Sequence, residues 1–391
     1  MTYKGVNNPG RRWKHGQPWE PGPEGVISVP TAEATASALL PLPGPDARAD
    51  PDTAGALGTA LAPTVTAGGP TGGASGLVKG NLTRNSQSGA TGVSGFNPEV
   101  KWKDLQQTEG GAISGSGKTL IDGLLAAGTK FRLRLLTGAG RAVSEPQCPS
   151  WLLAGAGTWL AVNPQSGFSA NCPKWWTTFY KDAYADLHTK LAALWDGDIK
   201  VVFSTGGMTI FAEPCIKGLS SSQNRTNLNN AGYTIALDKA ANTSFANSMT
   251  AWGQTNVGYA YNPYQFLNTT NLTFYSDEAY SRSLMETYRS LLGARHIIQN
   301  NSIRSSYIDN PGGTRPYTSL AYSGLYTDIV AMGPPVSFQT ATLDRVGDLN
   351  KTLLWAIDMA AHAAELPGGF ETATTLTEAQ RIARDADLKA N

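Results

Sequence analysis

The stretch "IKVVFSTGGMTIFAEP" (residues 199–214) contains the pattern that the rest of the chain repeats. It is a short apolar run that ends at Glu213 and Pro214. The preceding stretch, "WWTTFYKDAYADLHTKLAALWDG" (175–197), has apolar residues at intervals of three and four, as an amphipathic helix does. A buried strand directly after such a helix is typical of alternating βα units with a parallel sheet.

The same alternation continues along the chain on both sides of this stretch. Eight predicted strands separated by helical segments indicate an α/β fold of the (β/α)8 TIM-barrel type. A doubly wound open sheet is the alternative, but no Gly-rich nucleotide turn follows a strand, and "GSGK" (115–118) lacks the upstream Gly of a phosphate-binding loop. We interpret "GSGK" as a loop before a helix that begins at Thr119. The predicted strands are residues 76–82, 100–106, 131–138, 199–205, 256–262, 295–301, 335–340 and 362–366.

The first 75 residues have a different composition. No aromatic residue occurs between Trp19 and Phe96, and Pro, Gly, Ala and Thr dominate. Such a segment buries too little apolar surface to offset its conformational entropy. We therefore predict an extended Pro/Gly/Ala-rich N-terminal arm (residues 1–75) that becomes ordered only on partners, followed by a barrel domain over 76–391. A merely flexible tail is the alternative.

Charge and composition argue against several classes of protein. The chain has 31 Lys+Arg and 30 Asp+Glu, so its formal charge of +1 gives no general attraction for nucleic acid. The three cysteines lack CxxC spacing and the four histidines form no HxxxH pair, so we expect neither a metal site nor a cofactor. A Cys148–Cys172 disulfide is conceivable, but three reduced thiols are favoured. No apolar stretch is long enough to span a membrane, and the N-terminus does not have the pattern of a secretory signal peptide.

In a barrel of this kind, functional residues lie at the carboxyl ends of the strands. Glu213 follows the predicted fourth strand, Glu365 lies at the carboxyl end of the predicted eighth strand, and both are the candidate catalytic carboxyls. Acids and amides bind sugar hydroxyls, and flat rings cover the apolar faces of sugars, so the residues at the strand ends predict a carbohydrate-binding cleft. The candidate binding residues are Trp102, Asp104, Glu109, Arg134, Trp151, Tyr261, Asn262, Asn300 and Gln339.

Three segments resemble the clan A glycoside hydrolases, and the resemblance extends over roughly residues 76–370. The segment "WKDLQQTEGGAISGSGKTLIDGLLAAGTKFRLRLLTGAGRAVSEPQCPSWL" (102–152) resembles their second and third βα units. The segment "VVFSTGGMTIFAEP" (201–214) is similar to their fourth strand, which ends in the acid/base glutamate. The segment "PPVSFQTA" (334–341) falls where their seventh strand carries the nucleophile.

The chain departs from that family at two positions. The family has Asn before the acid/base glutamate, where this chain has Ala212, and Gln339 stands at the nucleophile position. An amide cannot form a glycosyl ester, so a retaining mechanism is not expected. An inverting pair, with Glu213 as acid and Glu365 as base, remains as the enzyme hypothesis. Alternatively, Glu365 forms an ion pair with Arg132 or Arg134 inside the barrel.

The N-terminal arm and its "ASALLP" segment (36–41) resemble minor tail proteins of phages that infect actinobacteria. This resemblance implies a virion protein, made in the host cytoplasm and assembled into an oligomeric phage tail through residues 1–75. Its barrel would bind host cell-envelope polysaccharide without efficient hydrolysis. The alternatives are an active inverting glycoside hydrolase and a purely structural barrel.

Overall fold

The computed structural model describes residues 76–139, 146–164, 166–211, 213, 214, 216–309, 318, 319 and 322–391. The predicted N-terminal arm lies outside these residues, as do Ala212 and Cys215. The arm and the domain boundary after residue 75 therefore remain predictions.

The described chain forms a barrel of parallel strands surrounded by helices. Neighbouring strands pair in the order of the sequence, and the first strand pairs with the last. The second strand has two pieces on either side of Pro98, which has no amide hydrogen to donate to the sheet. The strands are β1 (Gly80–Arg84), β2 (Gly95–Asn97 and Glu99–Lys101), β3 (Arg132–Leu136), β4 (Val201–Phe203), β5 (Asn256–Ala260), β6 (His296–Ile303), β7 (Val336–Thr340) and β8 (Ala361–Glu365).

The split second strand closes the barrel. Its first piece pairs with β1, and its second piece pairs with β3. The strand β1 is therefore hydrogen-bonded on both sides, to β2 and to β8. This order confirms the predicted (β/α)8 barrel and shows that the open-sheet alternative was wrong.

Helices cover the outside of the barrel. Helix α3, for example, buries Tyr180, Tyr184, Leu187 and Leu191. These residues have the three- and four-residue spacing from which the helix was predicted. The helices are α1 (Gly115–Ala126), α2 (Ser150–Ala156), α3 (Thr178–Trp195), α4 (Ser222–Asn230), α5 (Ile235–Ser248), α6 (Glu278–Leu292), α7 (Ser323–Met332), α8 (Leu343–Val346), α9 (Leu349–Asp358) and α10 (Glu378–Ala390).

Several strand boundaries differ from the sequence prediction by a few residues, and at two places the type of secondary structure differs as well. Helix α1 begins at Gly115, so "GSGK" is its first turn and not a preceding loop. The second strand ends at Lys101, and the next three residues, Trp102–Asp104, form a 3-10 helix. The amides of Leu105 and Gln106 both donate to the Trp102 carbonyl, so the chain turns where an extended strand was predicted.

Two antiparallel hairpins, which the sequence analysis did not predict, follow the third and fifth strands. The first, which we call the β3 hairpin, pairs Thr158–Val162 with Ser169–Pro173. The second, the β5 hairpin, pairs Tyr264–Asn268 with Thr273–Asp277.

Inward-facing positions alternate along each barrel strand. One group of inward side chains is apolar and forms a single cluster of Val78, Leu82, Val201, Phe203, Ile297 and Ala363. The other group is polar and fully or almost fully buried, and consists of Arg132, Arg134, Gln299, Ser337 and Glu365. The guanidinium groups of Arg132 and Arg134 lie over the Phe203 ring, at 4.7 and 5.1 Å from its centre.

Two cysteines are described, and both are free and buried. Burial raises the pKa of Cys148 to about 12 and also raises that of Cys172, so both remain thiols at neutral pH. Among the described residues, no helix is both long and apolar enough to cross a membrane.

Candidate functional site

A cavity of about 750 Å³ opens at the carboxyl ends of the barrel strands. Its described wall combines charged groups, amides and aromatic rings. The charged groups are Arg84, Arg134, Lys217, Arg304 and Arg345 with Glu99 and Glu213. The amides are Asn163, Asn262, Gln265, Asn300, Asn301 and Gln339, and the rings are Phe168, Phe211, Phe274, Tyr307, Tyr322 and Tyr326.

Glu213 lies in the cavity wall after β4, with only 8% of its surface exposed. Its Oε2 atom is 2.6 Å from Lys217 Nζ, and its Oε1 atom accepts a hydrogen bond from Asn301 Nδ2 at 3.2 Å. Burial alone would raise the pKa of Glu213, but the ammonium of Lys217, the amide of Asn301 and the nearby charge of Arg134 hold it below its ordinary value. The carboxyl group is therefore ionised at neutral pH.

A chain of amides connects the barrel interior to Glu213. Arg132 donates to Gln299 Oε1, and Gln299 Nε2 donates to Asn301 Oδ1 at 2.8 Å. Asn301 in turn donates to Glu213. Because each amide has both a donor and an acceptor partner, its orientation is fixed, and so is the direction in which Glu213 points.

A second amide pair lies on the β5–β6 side of the cavity. Asn300 Nδ2 donates to Asn262 Oδ1 at 2.9 Å, and Asn300 Oδ1 accepts from the Tyr326 hydroxyl at 3.0 Å. All three residues line the cavity. This arrangement holds polar groups at fixed positions around the open space.

Glu365 is fully buried, and its two oxygens are occupied by basic and amide groups. Arg84 Nε lies 3.1 Å from Oε1, and Arg134 Nη2 donates to Oε2 at 3.0 Å. Asn97 also donates to Oε2, and Gln339 donates to Oε1. Burial raises the pKa of Glu365, but the charges of Arg134 and Arg84 outweigh it and keep the pKa below its ordinary value. Glu365 is thus a buried counter-ion.

Arg134 lies between a buried carboxylate and a carboxylate of the cavity wall. It donates to the buried Glu365, and its Nη1 atom lies 3.7 Å from Glu99 Oε1 in the cavity wall. Burial lowers the pKa of Arg134, but these carboxylates raise it above its ordinary value, so it remains a cation. The barrel therefore presents a fixed positive charge at the base of the cavity.

The hairpins provide aromatic rings at the cavity opening. Phe168, in the connection of the β3 hairpin, is 44% exposed, and Phe274 of the β5 hairpin is 39% exposed. The guanidinium of Arg225 lies 5.9 Å from the centre of the Phe274 ring. Exposed rings at an open cavity offer flat apolar surfaces to a ligand.

The structure brings five of the predicted site residues together in this cavity. They are Glu213, Arg134, Asn262, Asn300 and Gln339. Glu365 lies beneath the wall and contacts Arg134 and Gln339.

The remaining predicted residues do not line the cavity. Trp102 is fully buried and packs against Trp151 and Tyr180, so its indole is part of the core between the barrel and α3. Trp151 donates to the Gln106 carbonyl at 3.3 Å. The Tyr261 hydroxyl bonds to His296 on the outer side of the strands. Asp104 and Glu109 lie between β2 and α1, away from the cavity.

Several cavity residues were not predicted from the sequence. Glu99 and Arg84 are inward-facing strand residues, and their alternation with Val100 and Thr83 could have identified them. Phe168 and Phe274 lie on the hairpins. The β5 hairpin had a visible signal, since "NTTN" (268–271) separates two short alternating segments that contain aromatic residues.

No protein-family model and no curated protein matches this chain significantly. Solved structures with a similar fold include a GH5-4 broad specificity endoglucanase from an uncultured bacterium, at 14% identity and a TM-score of 0.37, covering 77% of this chain and 82% of that one. PbGH5A, a glycoside hydrolase family 5 enzyme from Prevotella bryantii B14, is 11% identical with a TM-score of 0.38, and the match covers 80% of this chain and 96% of that one. A family 1 β-glucosidase from Thermotoga maritima is 12% identical with a TM-score of 0.36, and the match covers 70% of this chain and 73% of that one. At these values the likeness says nothing about activity, and the barrel is assigned from its own strand order and pairing.

The cavity can hold a polar ligand by several kinds of contact at once. Amides and charged groups offer fixed donors and acceptors, and the rings offer apolar surfaces. The described residues contain no group of three or more His, Cys, Asp or Glu side chains that could hold a metal ion. The cavity is therefore suited to a polar ligand that also has apolar faces.

Proposed function

We propose that this protein is a phage minor tail protein whose barrel binds host cell-envelope carbohydrate without efficient hydrolysis. The observation that carries the second half of this proposal is the ion pair between Glu213 and Lys217, at 2.6 Å. A general acid must hold a proton before it can give one to the leaving group. Lysine at this distance favours the ionised carboxylate, so Glu213 is suited to accept hydrogen bonds from sugar hydroxyls.

The surroundings of Gln339 support the same proposal. Its side-chain nitrogen donates to Glu365, so its oxygen is the group left for the cavity. An amide oxygen accepts hydrogen bonds but does not form a glycosyl ester. Both carboxylate oxygens of Glu365 are already bound by arginine and amide groups, which is unfavourable for a base that must activate a water molecule.

An active hydrolase is the second candidate, and Glu99 is the observation that favours it. Glu99 and Glu213 both line the cavity, and Arg134 interacts with both. Two carboxylates around one cavity are the minimum that glycoside hydrolysis requires. The ion pair with Lys217 favours the charged form of Glu213, so Glu213 is not suited to act as the acid.

Sugar release tests the two candidates against each other. We expect that Glu213→Gln will leave the release of reducing ends from purified host envelope polysaccharide unchanged, because the wild-type protein releases little. The assay compares wild type, Glu213→Gln and Glu99→Gln, with a sedimentation measurement of polysaccharide binding on the same samples. Robust release by the wild type that disappears in either variant would establish hydrolysis and remove the binding-only proposal.

We further propose that residues 1–75 attach the protein to other phage tail proteins within an oligomeric assembly, so that it is located in the virion. The support is the aromatic-free Pro/Gly/Ala-rich composition of the arm and its resemblance to phage tail proteins. A segment that orders only on its partners forms a large contact surface without a core of its own.

A further inference from the structure

We infer that the cavity selects acidic saccharides and holds their carboxylate, sulfate or phosphate groups against Arg84, Arg304 and Arg345. These three arginines are called the basic wall below. The inference rests on the proposed saccharide binding and adds the chemical class of the ligand.

More basic than acidic side chains line the cavity. Its described wall contains five cationic side chains and two carboxylates. Both carboxylates are already engaged, Glu213 with Lys217 at 2.6 Å and Glu99 with Arg134 at 3.7 Å. Arg84 and Arg134 are also paired with the buried Glu365, so the excess positive charge belongs to Arg304 and Arg345. A partly enclosed surface of one sign concentrates ligands of the opposite sign.

The connections after β6 and β7 hold two of these arginines on one side of the cavity. Arg304 directly follows β6, and Arg345 lies in α8, directly after β7. Between them, Ser305 donates to the Val346 carbonyl at 3.2 Å and accepts from the Asp348 amide at 3.0 Å. The two connections are thus fastened together next to both guanidinium groups.

Arg84 extends the basic wall from β1. Its Nη2 atom donates to the carbonyls of Thr340 and Ala341, the latter at 3.4 Å, so its side chain crosses the end of β7. Its carboxylate partner is Glu365, beneath the cavity surface. Arg84 therefore lies beside the connection that carries Arg345.

Arg304 is held in position before a ligand arrives. Its guanidinium lies over the Tyr307 ring, 4.5 Å from the ring centre, and its Nε atom donates to the Ser302 carbonyl at 3.4 Å. Neither Arg304 nor Arg345 forms an ion pair with any described residue. Guanidinium groups bind oxyanions through two parallel hydrogen bonds to a pair of oxygens, and a uronate carboxylate, a sulfate ester or a phosphate ester each offers such a pair.

The test uses the full-length protein and a panel of oligosaccharides. The panel has neutral members and, on the same backbones, members that carry uronate, sulfate or phosphate groups, which separates the three sources of the oxyanion. Dissociation constants are measured for the wild type and for the double variant Arg304→Gln/Arg345→Gln. The control is Arg282→Gln, since Arg282 lies on the outer helix α6 and is 51% exposed. Thermal unfolding of each variant shows that the fold is intact.

We expect the wild type to bind at least one acidic member roughly tenfold or more tightly than its neutral counterpart, the factor that one charge-assisted contact of about 1.4 kcal/mol gives. The preference should vanish in the double variant, persist in Arg282→Gln and weaken as salt rises. Equal binding of neutral and acidic members, or an unchanged preference in the double variant, would overturn this inference and leave saccharide binding in place. Absence of binding to every member would instead contradict the proposed function itself.

Discussion

Glu365 neutralises two guanidinium groups inside the barrel, so replacing it should measurably lower the stability of the fold. Removing one partner of a buried ion pair leaves the other charge unpaired in a medium of low polarity. We expect Glu365→Gln to lower the free energy of unfolding by about 3–5 kcal/mol, because Arg84 and Arg134 both lose their ion pair with this buried carboxylate. Chemical denaturation measures the change, and Glu371→Gln, at an exposed glutamate, is the matched control.

The same comparison should depend on pH in a defined direction. The folded-state pKa of Glu365 is lowered, so its contribution to stability is complete above the ordinary carboxyl pKa of about 4.3 and is lost as pH falls through the folded value. The difference between wild type and Glu365→Gln should therefore be constant at neutral pH and shrink in acid. A difference below about 1 kcal/mol at neutral pH would mean that the arginines find other partners.

Asp238, in the first turn of α5, connects that helix to the segment before α3 and to the β5 hairpin. Its carboxylate accepts hydrogen bonds from the Trp175 indole at 2.9 Å, the Tyr233 hydroxyl at 3.0 Å and the Tyr264 hydroxyl at 3.1 Å. It has no ion pair among the described residues. Burial raises its pKa to about 6, although these three donors act in the opposite direction.

This raised pKa predicts a loss of stability as pH rises. The folded-state pKa of Asp238, about 6, lies above the ordinary value of about 3.9. Its contribution to stability is therefore complete below about pH 3.9 and is lost by the time pH exceeds 6. Asp238→Asn should remove this dependence. Relative to the wild type, the unfolding free energy of the variant should therefore rise by about 2–3 kcal/mol between pH 4 and pH 7.

Denaturation series at several pH values measure this gain. Asp198→Asn, at an exposed aspartate, is the control and should track the wild type. Parallel curves for wild type and Asp238→Asn would show that the carboxyl group stays ionised throughout.

The eight strands were predictable because each is a short apolar run between helical segments, and the barrel buries such runs on both faces. The boundary of β2 was missed for a local reason. Val100 and Trp102 look like alternate positions of one strand, but the chain turns at Trp102 to place its indole under α3. The β3 hairpin was missed because its second strand, Ser169–Pro173, consists of Ser, Ala, Asn, Cys and Pro and has few residues of high strand propensity, although Thr158–Val162 has several.

Part of the candidate site was predictable for the same reason that the barrel was. Glu213 follows a predicted strand, and Asn300 and Gln339 lie near the carboxyl ends of predicted strands, so their meeting at one end of the barrel is a property of the topology. The sequence could not distinguish a side chain that faces the cavity from one that faces the helices, which is why Trp102 and Tyr261 were included. Nor could it show that Arg84 and Glu365 are partners, because they are distant in sequence and adjacent only after the barrel closes.

Deleting residues 1–75 separates the two proposed roles of the chain. We expect the shortened protein to unfold at the same temperature as the full chain, because the barrel contains its own closed sheet and core. It should bind polysaccharide equally well yet fail to enter virions, which immunoblots of purified particles would detect. Unfolding of the shortened protein, or normal incorporation into particles, would each contradict the predicted role of the arm.

The pairing of β1 on both sides also has a mechanical consequence. Residues 76–79 lead into the amino end of β1, at the opposite end of the strands from the cavity. A pull applied through residue 76 would load the hydrogen bonds to β2 and β8 in shear, so that they share the force and must break together. A ligand held in the cavity and a tether at residue 76 would thus pull along the strand direction, in which the closed barrel resists extension most strongly.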